Sequence, residues 1–223
     1  MNSFKKGSFM SQASLLDLMH ISGYLGSRIC HDLMSPISAI NNAFELLDEG
    51  ESPQEILDLI RLSAQSASAK LQLARIAFGA MGSQDNFLPN TEVEEVAKNY
   101  MGLEKSKLFW HVEPESLSKL QAKLLLNFLL IANGCVPRGG EIFVKSCVAE
   151  NKLGFLIEAK GERLRLMPQF SALQDKDFSK ELHVDTIDVH AFQPYYSLLL
   201  VQISGMKLTT KAEEEKIAFF LQA

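Results

Sequence analysis

His31 is the residue of this sequence whose type and surroundings point most directly to chemistry. It lies in a stretch whose apolar residues recur every three or four positions, which predicts a helix from about Ser14 to Asp48. The apolar stripe of that helix centres near Leu33, so the imidazole falls on the opposite, water-facing side. An exposed imidazole is mostly neutral at pH 7, and its free ring nitrogen is a nucleophile that can attack phosphorus.

Polar side chains surround this histidine on the helix. Arg28, about one turn earlier, can hold phosphate oxygens as a charged donor. Asp32 can orient the ring or accept its proton, and Ser35, one turn later, can donate a hydrogen bond to a phosphoryl group. Pro36 removes an N–H from the helical ladder, so we expect a local kink just after the nucleophile. The candidate catalytic set is therefore His31, Arg28, Asp32 and Ser35.

A second long helix is expected to support the first. The run from Ser52 to Glu55 has a capping residue, a first-turn proline and an early acid, and the helix it begins continues to about Phe78. Two long helices joined by a short loop form an antiparallel hairpin. One hairpin cannot cover both apolar stripes, so we predict that two copies form a four-helix bundle, a homodimer. The inner stripe of the second helix is predicted to contain Ile56, Ile60, Ser63, Ala67, Leu71, Ala74 and Phe78.

The pattern changes after a polar linker, Gly79 to Asn86. We predict two domains, a helical hairpin for dimerisation over residues 1–82 and an α/β domain over residues 83–223. The fold class is thus α+β, with helices packed on one face of a mixed sheet. The expected elements are a helix capped by Thr91 and Glu94 that runs to Leu103, a strand at Lys107–Val112, a helix at Pro114–Ala132, strands at Glu141–Val148 and Lys152–Ala159, a helix at Phe192–Ser204, and strands at Lys207–Thr210 and Ile217–Leu221.

Composition excludes several function classes. The 223 residues carry a net charge of −5, which argues against a general nucleic-acid-binding surface. No apolar stretch approaches the length of a membrane span or signal peptide, so we expect a soluble, cytoplasmic protein with no membrane contact. No metal site is expected, because the spacing typical of metal ligands is missing among the cysteines, Cys30, Cys135 and Cys147, and among the other histidines, His20, His111, His183 and His190.

Several segments resemble known signalling proteins. Cys30-His31-Asp32-Leu33-Met34-Ser35-Pro36 resembles the phosphoacceptor box of sensor histidine kinases. A wider set, spread over roughly residues 20–210, resembles the ChpT histidine phosphotransferases of alphaproteobacteria. That set comprises Arg28-Ile29-Cys30-His31-Asp32, Ala74-Arg75-Ile76-Ala77-Phe78-Gly79-Ala80, Leu125-Leu126-Asn127-Phe128-Leu129-Leu130, Pro137-Arg138-Gly139-Gly140 and Gln193-Pro194-Tyr195.

The resemblance implies a fold and a function. The carboxy-terminal domain would be an α/β sandwich shaped like the ATP-binding (Bergerat) domain of a histidine kinase but without a nucleotide site. His31 would be the phosphorylated residue of a dimeric phosphorelay protein. Its partners would be the receiver domain of a hybrid histidine kinase and downstream response regulators. No cofactor would be bound, since the partner receiver domain would bring the Mg²⁺.

The residues themselves argue against ATP chemistry. Active histidine kinases place paired asparagines on one helix, but here Asn127 is followed four positions later by Ile131, which cannot ligate a hard cation. The turn expected to admit nucleotide reads Glu158-Ala159-Lys160-Gly161-Glu162-Arg163 and lacks a second glycine. The stretch expected to cover phosphates, Val189 to Tyr196, contains no glycine at all. Two alternatives stay open: a divergent ATP-dependent histidine kinase, and a non-catalytic regulator that docks on a kinase or receiver.

Overall fold

The computed structural model describes residues 12–49, 53–80, 87–149, 152–174 and 191–222. The helical hairpin consists of α1 (Gln12–Asp48) and α2 (Pro53–Ala77). The remaining elements form the C-terminal domain: β1 (Phe87–Pro89), α3 (Asn90–Met101), β2 (Lys107–His111), β3 (Ser116–Ser118), α4 (Lys119–Cys135), β4 (Glu141–Ala149), β5 (Lys152–Lys160), α5 (Pro168–Gln174), α6 (Phe192–Ser204), β6 (Lys207–Ala212) and β7 (Lys216–Gln222). The two-domain α+β fold class is confirmed. The linker residues 81–86, which contain the expected 82/83 boundary, and His183 and His190 lie outside the described residues.

The predicted inner stripe of α2 is largely confirmed, and Leu71 is its one exception: Ile56, Ser63 and Ala74 are buried, and Ile60, Ala67 and Phe78 are half-buried. Leu71 is 54% exposed, whereas Leu73, Ile76 and Ala77 are buried. The reason is that the carboxy-terminal half of α2 packs against α3 and α4 as well as against α1, so its buried face turns toward the C-terminal domain. Pro36 lies inside the uninterrupted α1. Large apolar side chains remain exposed along both helices: Met19, Met34, Ile37, Phe44, Leu46, Leu57, Leu59, Leu62 and Leu71.

The C-terminal domain is built on a five-stranded mixed sheet. Its strand order is β2-β4-β5-β7-β6, with β2 parallel to β4 and the other neighbours antiparallel. Helices α4 and α6 cover one face, as predicted, and alternate residues of the strands point into the core beneath them. Phe128 of α4, Phe170 of α5 and Phe219 of β7 meet there with ring centroids 5.3–6.3 Å apart. The apolar cluster that contains these rings also includes Leu73, Ile76 and Ala77 of α2.

The helix expected at Pro114–Ala132 was placed too early. The chain first forms the short strand β3, which pairs antiparallel with β1, and α4 begins only at Lys119. Ser118 has an extended backbone and accepts a hydrogen bond from the Gln121 amide, while the Gln121 side chain accepts one from the Ser118 amide. This reciprocal capping box starts α4 at that point. A strand of three residues is too short to show a recognisable alternation of apolar and polar residues in the sequence.

The predicted cap of α3 was also wrong. Pro89 occupies the N-cap position, no side chain caps the helix, and the helix ends at Met101 rather than Leu103. The neighbouring Asn90 has a buried structural role instead. Its amide donates to the Val112 carbonyl at 2.6 Å and accepts from the Trp110 indole nitrogen at 3.1 Å. Asn90 thereby ties the start of α3 to the strand β2 and the segment after it.

Two side chains of α4 hold the end of α2, and we call Lys123 and Asn127 the interdomain clamp. The Asn127 amide donates to the Ala77 carbonyl at 3.0 Å, and the Lys123 ammonium donates to the Gly79 carbonyl. Carbonyls at a helix C-terminus have no partner within the helix, so these donors satisfy groups that would otherwise need water. Both clamp residues are buried: Asn127 is 0% exposed and Lys123 is 3% exposed.

Helix α6 supports the clamp from the other side. Gln193 Nε2 donates to the side-chain oxygen Oδ1 of Asn127 at 2.7 Å, and the Tyr196 hydroxyl lies 3.5 Å from the Lys123 ammonium. The Tyr196 ring also packs edge-on against Phe78 just after α2, with centroids 5.7 Å apart. The hairpin and the C-terminal domain are therefore joined by buried polar contacts as well as by apolar packing.

Replacing Asn90 with alanine should destabilise the C-terminal domain. The variant leaves the Trp110 indole N–H and the Val112 carbonyl without their partner, so we expect a loss of about 1–3 kcal/mol in the free energy of unfolding. Urea denaturation of the Asn90→Ala variant measures this. The matched control is Asn99→Ala, at an exposed position of the same helix, and equal stabilities of the two variants would contradict the structural role.

Lys123 should make stability depend on pH. Burial lowers its pKa from 10.5 to about 8, and the unfolded chain keeps the ordinary value. Between these values the unfolded state binds more protons than the folded state, so the free energy of unfolding rises with pH in this window. Relative to the Lys123→Met variant, the wild type should gain about 1–3 kcal/mol between pH 7.5 and pH 10, as measured by denaturation at several pH values. For the exposed control Lys98→Met, the difference in free energy of unfolding from the wild type should stay constant over this pH range. A constant difference for Lys123→Met would contradict the prediction.

Candidate functional site

The imidazole of His31 stands on the outer surface of α1. Its side chain is 89% exposed, which confirms that this residue faces water from the middle of the helix. The surrounding helix buries other positions, including the fully buried Ala43, about three turns later. The sequence pattern places His31 outside because apolar residues occupy the opposite face. A side chain so exposed can be reached by a second folded domain.

Asp32 lies between a cation and the imidazole. Its two carboxylate oxygens lie 3.4 Å from Arg28 Nε and 3.4 Å from His31 Nδ1. The Arg28 contact is an ion pair that lacks hydrogen-bond geometry, and Arg28 Nε has no hydrogen-bond partner. A carboxylate beside Nδ1 favours the tautomer that carries its proton there, so the lone pair lies on Nε2, which is turned away from the carboxylate. The structure thus brings three of the four candidate residues together, with Arg28 and Asp32 on the Nδ1 side of the His31 ring.

Ser35 is the fourth candidate, and it stands slightly apart. It is exposed one turn after His31, and among the described residues no hydrogen bond joins it to the imidazole. Ser38 and Asn42 are also exposed further along α1. Ser35 can therefore meet a group bound at His31 only from the carboxy-terminal side of the helix.

Tyr100 of α3 is a neighbour of the site that the sequence pattern did not indicate. Burial raises the pKa of its phenol strongly, Glu104 and Asp32 raise it further, and Arg28 lowers it. Tyr100 and Asp32 also line the same small cavity beneath α1. In sequence Tyr100 looks like an ordinary partly apolar helix residue, so no signal could have distinguished it. Tyr100 lies near Asp32 only because α3 packs beside the hairpin.

A groove separates the His31 face of α1 from the C-terminal domain. Its volume is about 670 Å³. Tyr24, Arg28 and His31 line one wall, and the opposite wall is formed by Leu130, Met167, Gln169 and Phe192. At one end the Tyr24 and Phe192 rings stack with centroids 5.3 Å apart, and Phe192 stacks in turn on Tyr196 at 5.9 Å. Sequence reasoning missed the second wall, because its residues come from three separate segments that only the fold brings together.

The positions where a kinase would hold nucleotide are engaged in structural contacts. Asn127 belongs to the interdomain clamp and is fully buried. Glu158 of β5 is 8% exposed and lies 3.4 Å from Lys145 and 3.9 Å from Lys216, so its carboxylate is already neutralised. Both side chains are thus committed to holding the domain together.

Other candidate features carry no site in the described part of the chain. No group of three His, Cys, Asp or Glu side chains is arranged there to hold a metal ion. The cysteines are unpaired; Cys135 is buried, and burial raises the pKa of its thiol to about 12. None of the described helices combines the length and apolar character that crossing a bilayer requires.

Comparison with known proteins identifies relatives of the whole chain. The sequence profile described as "Histidine phosphotransferase C-terminal domain" matches residues 90–216. "Protein phosphotransferase ChpT" of Brucella abortus (strain 2308) is 42% identical over 210 residues, which cover 94% of this chain and 99% of that protein.

One solved structure agrees with these sequence matches. Described as a 1.7 Å structure of a bacterial phosphotransferase, it shares 41% identity and a TM-score of 0.80, covering 96% of this chain and 98% of that one. The histidine kinase domain of the Erythrobacter litoralis EL346 blue-light activated histidine kinase shares 16% identity at a TM-score of 0.45, over 95% of this chain and 93% of that one, a likeness too weak to carry weight. The extent of the first three matches shows that this chain belongs to the ChpT-like histidine phosphotransferases.

Proposed function

We propose that this protein carries phosphoryl groups between receiver domains through His31. In this function the imidazole accepts the group from the phosphoaspartate of a hybrid histidine kinase and passes it to response regulators. The observation that carries the proposal is the 89% exposed imidazole, whose Nδ1 faces Asp32 while its other nitrogen is open to a partner. Membership of the phosphotransferase family supports the same reading.

The geometry suggests how the transfer proceeds. Nε2 of His31 attacks the phosphorus in line with the aspartyl oxygen, a P–N bond forms, and the P–O bond to the aspartate breaks. Asp32 balances the positive charge that develops on the ring, and Arg28 is placed to hold the phosphoryl oxygens. The receiver's own Mg²⁺ neutralises the charge on the phosphoryl group, so this chain needs no cofactor of its own. Transfer can run in both directions, because phosphohistidine and phosphoaspartate are both high-energy species.

In this proposal the C-terminal domain serves as a docking wall rather than as an ATPase. A receiver seated on His31 would enter the groove and contact Met167 and Gln169 on its far side. Asn127 and Glu158 favour this role, since their side chains are held in buried structural contacts. Since its partners are cytoplasmic signalling domains, we place the protein in the cytoplasm.

We also propose that two hairpins associate into a four-helix bundle. The exposed apolar side chains of α1 and α2 include Ile37 at 49%, Phe44 at 53% and Leu62 at 61%. Large apolar side chains exposed in such number on two packed helices are typical of a face that a partner covers. A second copy of the hairpin presents the same face and can cover it with twofold symmetry.

His31 is the residue whose loss should abolish transfer. We expect the His31→Ala variant to fold and to bind receivers but to accept no phosphate, because no other nucleophile occupies its exposed position. The measurement is acid-labile, base-stable radiolabel on the protein after mixing with a phosphorylated receiver domain and Mg²⁺. The matched control is His20→Ala, a histidine eleven residues earlier on the same helix, which should keep wild-type labelling.

Three outcomes would contradict this function. Label retained on the His31→Ala variant would assign the phosphate to another residue. Label acquired by the wild type from ATP and Mg²⁺, without any receiver, would make the chain a divergent kinase. Tight receiver binding without any label on His31 would make it a docking regulator.

The bundle interface can be tested at Leu62. A glutamate at this exposed position of α2 would bury a charge against the apolar face of the partner, so we expect Leu62→Glu to shift the protein from dimer to monomer. Light scattering after size-exclusion chromatography measures the mass. Ile203→Glu, at a 53% exposed position on α6 of the C-terminal domain, should remain dimeric. A monomeric wild type, or a dimeric Leu62→Glu variant, would exclude this interface.

A further inference from the structure

A second cavity lies where the end of α2 meets β1 and the start of α4. Its volume is about 250 Å³. Three basic residues line it: Arg75 from the hairpin, and Lys119 and Lys123 from the C-terminal domain. Its other described lining residues are neutral, namely Ile76, Gly79, Ala80 and Leu88. The cavity shares no lining residue with the groove beside His31.

Lys123 is buried without a counter-charge. It is 3% exposed, and its ammonium contacts the Gly79 carbonyl and the Tyr196 hydroxyl, which are both neutral. Among the described residues no carboxylate pairs with it. Buried lysines are normally paired with an anion, because removing a charge from water is costly. An ammonium group has three donors, and two neutral acceptors leave it both a free donor and a free charge.

The other two cations add to this excess of positive charge. Lys119 is the first residue of α4 and is only half-buried. One nitrogen of Arg75 donates to Glu92 at 2.9 Å, which leaves the other donors of its guanidinium available. Ile76, 6% exposed, also lines the cavity. Three cationic side chains from two domains therefore meet at one cavity, and among the described residues only Arg75 of the three has a carboxylate partner.

We propose that this cavity binds a phosphate-class oxyanion, held by Lys123, Lys119 and Arg75. The ligand is either free inorganic phosphate or the phosphate of a small monoester, since both present the same group of oxygens to the three cations. The cavity is smaller than the 300–1,000 Å³ typical of sites for drug-sized ligands, which favours a compact anion. This site is separate from His31 and goes beyond the proposed phosphotransfer.

Binding at this place would join the two domains. The anion would touch Arg75 on α2 and the two lysines on α4, next to the interdomain clamp. A ligand that binds only the folded state raises its stability in proportion to the logarithm of ligand concentration. The signature is therefore a melting temperature of the full chain that rises with the logarithm of phosphate concentration once that concentration exceeds the dissociation constant.

The test is thermal unfolding of the full chain in inorganic phosphate, in glycerol phosphate, and in sodium chloride of matched ionic strength. We expect the melting temperature to rise with the logarithm of concentration for one or both phosphate species and not for chloride; the species with the lower apparent dissociation constant identifies the ligand form. Lys119→Gln and Arg75→Gln should each weaken the apparent affinity at least tenfold, because both line the cavity without belonging to the clamp. Lys107→Gln, at an exposed lysine on β2, should respond like the wild type.

The result can also separate this site from the groove. His31→Ala and Arg28→Gln should keep the wild-type response to phosphate, whatever they do to phosphotransfer. If those two variants lose the response while Lys119→Gln and Arg75→Gln keep it, the anion binds beside His31 and the inference is wrong. A rise that chloride reproduces, or one that all variants share, would overturn it equally.

Discussion

The arrangement of this molecule depends on how the last carbonyls of α2 find their donors. A helix that ends in solvent can leave these groups to water, but here the end of α2 is pressed against α4. Lys123 and Asn127, one turn apart, supply the missing N–H groups to Gly79 and Ala77. Those donors project from α4, a core helix of the C-terminal domain. Pairing them with the carbonyls at the end of α2 therefore also fixes the position of that domain against the hairpin. The groove beside His31 exists only with the domains in this orientation.

The proposed phosphoacceptor site follows a simpler electrostatic rule. Asp32 contacts both Arg28 and His31, so in the proposed transfer one carboxylate would orient the imidazole and balance the cation that would receive phosphoryl oxygens. Nothing buries the ring. Surface ion pairs of this kind contribute little to stability. The identity and spacing of Arg28, His31 and Asp32 can therefore change with little effect on the stability of the fold. Tyr100 of the C-terminal domain is half-buried close enough to Arg28 and Asp32 for their charges to act on the pKa of its phenol.

Much of this could be predicted from local patterns in the sequence. The hairpin helices, the mixed sheet and the outward direction of His31 all follow from apolar periodicity, which is strong in long amphipathic elements. The errors lie where tertiary contacts override local signals. Thr91 and Glu94 have the spacing of a capping box, yet Asn90 is engaged with Trp110 and Val112 and the helix begins without a side-chain cap. Leu71 fits the α2 stripe by spacing, yet it is 54% exposed, because the end of α2 turns Leu73 and Ile76 toward α3 and α4. Met167 and Gln169 could not be placed beside His31, since no local pattern relates α1 to the start of α5, far along the chain.

The apolar cluster running from α2 through α4 to the sheet has a consequence for how such proteins can be assembled. Leu73, Ile76 and Ala77 are packed with Phe128 and Phe219 in one continuous core, and the stacked rings of Tyr24, Phe192 and Tyr196 extend that continuity to α1. A hairpin severed from its neighbour would expose this surface to water, and the sheet domain would lose its lid. The two parts are thus one cooperative unit rather than interchangeable modules. Exchanging hairpins between relatives would require the buried surface of α2 to be exchanged with the residues that meet it.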